Sequence, residues 1–78
     1  MKIVKILAQA YKRNTGKKSG KARWEKIDLA KNEIFNRKGE YEKVKTILDV
    51  KLAFESFWNE LDPKSEDIVF CQEIKVIN

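Results

Sequence analysis

Histidine is absent from this 78-residue chain, and cysteine and proline each occur once. Without histidine the commonest general base near neutral pH is missing. A single thiol, Cys71, cannot form an intramolecular disulfide, and no second Cys or His is present to complete a zinc site. Cys71 lies in an apolar run and is expected to be buried and inert. Long hydrophobic runs are also missing. The longest, residues 6–8 and 68–71, fall far short of the roughly 20 apolar residues that cross a bilayer. The lysine-spaced N-terminal residues lack the continuous apolar core of a secretion signal. These absences lead us to expect a cytoplasmic protein with no membrane association, no cofactor, no metal and no small-molecule substrate.

Two further chemistries fail on spacing. Residues 16–22, GKKSGKA, carry part of a phosphate-binding P-loop pattern. The gap between glycines is one residue short, however, and Ala22 stands where a magnesium-binding hydroxyl is needed. The acids Glu40, Glu42, Asp62, Glu66 and Asp67 match no calcium-loop spacing and read as solvated surface charge.

What the chain does have is charge together with enough apolar side chains to fold. It is 42% hydrophobic and 37% charged, with a net charge of +5. A chain of this length supports one domain, residues 1–78, with one core. Charge is unevenly placed. Residues 1–26 hold nine lysines and arginines against Glu25 alone, whereas residues 27–78 hold eight bases and eleven acids. A local positive field of this kind raises the encounter rate with polyanions.

Residues 49–61, DVKLAFESFWNEL, organise the predicted fold. Val50, Ala53, Phe54, Phe57, Trp58 and Leu61 recur at the spacing of one helical stripe. Asp49 is placed to cap the start, Pro63 stops continuation, and Lys51 and Glu55 form an i, i+4 pair. Residues 2–13 admit either a strand, with Val4, Ile6, Ala8 and Ala10 on one face, or a helix. The β-branched Ile3, Val4 and Ile6 favour the strand. The turn residues of 14–20 then lead to a return strand over 21–29 with Trp24 as its bulky anchor and room for a bulge. Ile34 and Phe35, followed by Asn-Arg-Lys-Gly, read as a short strand and hairpin ending at Gly39, and residues 41–48 as another strand. Residues 68–77 alternate as a terminal strand, with Ile68, Phe70, Ile74 and Val76 on one face. The expected class is α+β: a small antiparallel β-sheet of about four to five strands packed against one main amphipathic helix (49–61), in the order β-β-(β)-β-α-β.

The exposed basic loop 12–23 is the candidate site. Lys12, Arg13, Lys17, Lys18, Lys21 and Arg23 lie within twelve residues, with Tyr11 and Trp24 at its two ends, where a nucleobase could stack. The leading expectation is a non-enzymatic small binding protein that contacts nucleic acid or a nucleic-acid-containing complex through its basic N-terminal half. One alternative is a small regulator or inhibitor, of the kind phages and mobile elements encode, whose exposed sheet face or edge strand docks on and occludes an acidic or nucleic-acid-binding surface of a larger protein. A third is a small basic ribonuclease.

Overall fold

Strand β1, Ile3–Lys12, opens the chain and becomes the centre of the sheet. The structure, a computed structural model, describes the backbone of residues 1–78 and all side chains except those of 38–40. Val4 and Ile6 are fully buried, as the strand reading of the β-branched residues requires. β1 pairs antiparallel with β2, Lys18–Asp28, on one side and with β3, Asp67–Val76, on the other, giving the strand order β2-β1-β3. Between β2 and β3 the chain forms a four-residue helix α1, Glu33–Asn36, a 3-10 segment, Arg37–Lys43, and the main helix α2, Ile47–Leu61. The class is α+β, with a helical layer on one face of a three-stranded antiparallel sheet. Its core is Val4, Ile6, Ile27, Leu29, Ile34, Phe35, Val50, Phe54 and Cys71.

Several expectations are overturned, each for a local reason. The sheet has three strands rather than four or five, and the order is β-β-α-α-β. Residues 41–48 are not a strand because Thr46 opens α2 instead. Its hydroxyl accepts the Asp49 N–H at 3.1 Å, and the Asp49 carboxylate accepts the Lys45 and Thr46 N–H groups at 2.9 Å each. Asp49 is therefore the third residue of the helix rather than its cap. Those two backbone hydrogen bonds hold its carboxyl below the usual 3.8. The hairpin expected to end at Gly39 is replaced by the 3-10 segment, and Asn32 caps α1 by accepting the Ile34 N–H at 2.9 Å.

Both flanking strands carry irregularities, and the one in β3 resets its faces. In β3, Glu73 opposes Leu7 but Cys71 opposes Ala8, so Gln72 is an extra residue. Ile74 and Val76 consequently join Val69 and Cys71 on the helix side, not Ile68 and Phe70. In β2, Arg23 opposes Ala8 and Ser19 opposes Ala10, leaving Gly20, Lys21 and Ala22 against the single Gln9. Gly20 takes φ +75°, a conformation that glycine adopts without strain. The buried Gln9 amide serves this irregular stretch, donating to the Ala10 and Gly20 carbonyls at 2.8 and 3.1 Å.

The helix stripe is only partly buried. Val50 and Phe54 are in the core, but Trp58 is 40% and Leu61 65% exposed. Trp24, expected as the anchor of β2, is 45% exposed. It sits on the sheet face that α2 does not cover.

Candidate functional site

The register assigns side chains to faces, since residues directly opposite on neighbouring strands point the same way. On the helix side lie Val4, Ile6 and Ala8 with their partners Ile27, Glu25 and Arg23 on β2, and Ile74 and Cys71 on β3. The other face has no covering element. Across it runs a row of three lysines: Lys26 opposes Lys5, and Lys5 opposes Lys75. The next row is Trp24, Leu7 and Glu73. Toward the hairpin end comes the row Lys18, Tyr11 and Ile68.

Aromatic rings are held between these rows. The Lys75 Nζ lies 4.8 Å from the centre of the Trp24 ring, a cation–π contact. Tyr11 and Phe70 meet edge to face at 5.7 Å, and the Gln72 amide donates to the Tyr11 hydroxyl at 2.9 Å. Phe70 is 39% exposed. From Lys5 to Tyr11 the face runs roughly 20 Å at about 3.3 Å per residue. Like charges directly opposite one another on a sheet destabilise it. Among the described residues the one ion pair is Lys51–Glu55 at 3.0 Å, on α2, so no carboxylate pairs with the lysine row.

The six residues singled out by sequence are all exposed but are not one cluster. Lys12 ends β1, Arg13 and Lys17 lie in the connection, and Lys18, Lys21 and Arg23 are already in β2. Lys18 shares the open face with Tyr11. Lys12 and Arg13 border a cleft of about 470 Å³ with Tyr11, Phe70 and Gln72 at the hairpin end of the sheet. Arg13 is tied there, its backbone N–H donating to the Glu66 carbonyl at 2.7 Å and its Nε to the Ser65 carbonyl at 3.3 Å. Lys21 and Arg23 turn to the helix side, where with Phe54 and Trp58 they line a groove of about 370 Å³. Sequence reasoning missed Lys5, Lys26, Lys75 and Phe70 as site residues. The alternation of Lys5, Leu7 and Tyr11 was a usable signal for one strand. The bulge at Gln72 concealed that Phe70 and Lys75 join them.

The acids have local roles or lie at the surface. Asp62 accepts the Lys64 N–H at 3.2 Å, Asp67 accepts the Ser19 hydroxyl at 3.3 Å, and Glu42 and Glu66 are exposed; the side chain of Glu40 lies outside the described residues. Among the described residues no group of three acids, Cys or His is placed to hold a metal ion. Gly16 and Gly20 belong to the hairpin and β2 rather than to a loop opening a helix, so the P-loop geometry is not formed. Cys71 is buried, and its thiol is pushed up to about 12, first by burial and then by the nearby Glu55 carboxylate. Such a thiol is a poor nucleophile. Among the described residues no helix is long and apolar enough to cross a membrane.

Comparison of the chain with protein-family models, curated proteins and solved structures found no match.

Proposed function

We propose that this chain is a non-enzymatic binding protein that takes single-stranded nucleic acid on its open sheet face. The observation that carries the reading is the row Lys26–Lys5–Lys75 beside the exposed Trp24, flanked on the same face by Asp28 and Glu73 but in no ion pair among the described residues. Three cations held side by side cost folding stability, and a phosphate backbone offsets that cost with its own negative charge. Trp24 at one end and the Tyr11–Phe70 pair at the other offer flat apolar surfaces to bases, which stack on aromatic rings with little regard to sequence. Lys18 on the open face, with Arg13 and Lys17 in the connection, extends the cationic path around the hairpin, whereas Lys12 opposes Asp67 on the helix side. Lys21 and Arg23, on the other side of the sheet, stand outside this path.

Phosphate contacts position a strand without reading it, so the surface predicts broad binding rather than a sequence code. The test is a fluorescence titration with DNA and RNA oligonucleotides at low salt. Replacing Trp24 by alanine should weaken binding by roughly 10- to 100-fold, the worth of one stacked base, while Trp58→Phe, on the other side, should not. No saturable binding at low salt, or equal effects of the two substitutions, refutes the reading. The occluding-regulator alternative instead predicts capture of one protein partner after nuclease treatment, and the ribonuclease alternative predicts RNA turnover that Arg23→Ala abolishes.

A further inference from the structure

The two edges of the sheet are treated differently. α2 covers part of the outer edge of β3, at Val69 and Cys71. The Asn59 amide accepts the Val69 N–H at 2.8 Å and donates to the Val69 carbonyl at 3.0 Å, while Glu55 accepts the Cys71 N–H at 2.8 Å. These side chains stand in for a fourth strand over that stretch and shorten the open edge. Among the described residues nothing comparable covers β2, where residues 20–26 are all exposed. Its hydrogen-bond phase follows from the Leu29 N–H, which reaches the Lys2 carbonyl at 2.8 Å. Antiparallel alternation then turns the backbone groups of Ile27, Glu25 and Arg23 toward β1. Those of Trp24 and Lys26 point outward, unpaired.

We propose that this edge pairs with the same edge of a second copy of the chain, antiparallel about a twofold axis through Trp24. A symmetric pairing keeps the helices of both copies on one side of the joined sheet, so the centre of the pairing must fall on a residue. Of residues 23–26, Arg-Trp-Glu-Lys, only Trp24 avoids placing two like charges on the axis. With Trp24 there, each Trp24 N–H donates to the other copy's Trp24 carbonyl, in the phase that the outward-facing groups require. Arg23 then opposes Glu25 of the second copy, twice by symmetry, and Ala22 opposes Lys26. The charges on this edge are self-complementary in that one register, and opposite charges across strands are stabilising.

The pairing spans residues 22–26 because the bulge at Gly20–Ala22 ends the regular edge. It is a small interface, so the dimer is a weak one seen at high protein concentration. Its product is a continuous six-stranded sheet whose uncovered face carries two lysine rows. The inference does not rest on nucleic-acid binding and is tested without it.

Sedimentation equilibrium of the full chain over roughly 10 μM to 1 mM should show a monomer–dimer equilibrium. Arg23→Glu and Glu25→Arg should each weaken the dimer at least about tenfold by opposing like charges, and the double exchange should restore it to within about threefold. Amide exchange at Trp24 and Lys26 should slow as concentration rises. Circular dichroism on the three variants confirms that each is folded. A monomer throughout, including one whose edge takes up an acidic peptide instead, overturns the proposal, as does dimerisation indifferent to the single substitutions or not restored by the double.

Discussion

Replacing Lys5 by glutamate should stabilise the folded chain while weakening its hold on nucleic acid. Lys5 is the middle of the lysine row, directly opposite Lys26 on β2 and Lys75 on β3. The hydrogen-bond phase makes Lys5–Lys75 a hydrogen-bonded pair and Lys5–Lys26 a non-hydrogen-bonded one, in which side chains approach more closely. Each cross-strand charge contact is worth about 0.2 to 1 kcal/mol, unfavourable for like charges and favourable for opposite ones. Lys5→Glu changes the sign of two such contacts, a swing of twice the worth of each, so a gain of about 0.8 to 4 kcal/mol is expected. In a domain of this size 1 kcal/mol moves Tm by roughly 4 to 8 °C. Thermal unfolding followed by circular dichroism at low salt should therefore show a rise of several degrees. Most of that rise should vanish near 1 M salt, where the screening length falls to about 3 Å. A variant that melts at or below the parent temperature at low salt would falsify the claim that the row is held under mutual repulsion.

Phe54, on the buried face of α2, is fully buried, and truncation to alanine should cost about 3 to 5 kcal/mol of the roughly 4 to 12 kcal/mol available to 78 residues; urea unfolding should show a correspondingly lowered midpoint. Asn59→Ala removes both hydrogen bonds to Val69 and reopens the edge of β3, so a loss of about 1 to 3 kcal/mol should accompany concentration-dependent aggregation seen by light scattering. Cys71, with its folded thiol raised from 9.0 to about 12, contributes stability that is complete below about pH 9 and is lost as pH rises from there toward 12. Cys71→Ser should flatten that alkaline fall in urea midpoints, and in the parent chain a thiol reagent at pH 8 should react only as fast as the chain opens.

The parts of the fold visible in the sequence are those set by uninterrupted periodicity. Val4, Ile6, Ala8 and Ala10 do line the helix side of β1, and Pro63 does follow the end of α2 at Leu61. The parts that escaped depend on single residues that break a pattern. Gln72 shifts the count by one in β3, which sends Ile74 inward and Lys75 outward, and nothing in its chemistry marks it as the extra residue. The helix start was marked by Thr46 and Asp49, but the alternation of Val44, Thr46 and Leu48 pointed to a strand. The capping box prevailed because it satisfies backbone N–H groups that a strand would have left at an unpaired edge. At the candidate site, the basic character of the N-terminal third was legible, whereas its division between two faces was not. Only the cross-strand register separates Lys18 from Lys21 and Arg23, and brings Lys75 from the far end of the chain beside Lys5 and Trp24.

In the proposed function the lysine row on the open sheet face meets phosphate. The most direct measurement is the slope of log affinity against log salt for an oligonucleotide, with the parent chain and with the triple variant Lys5→Gln, Lys26→Gln, Lys75→Gln. Four phosphate contacts, by these lysines and Lys18, predict a slope of about −3 for a single strand, and removing three should bring it to about −1. A triple variant that keeps both the parent's affinity and its slope would contradict the account.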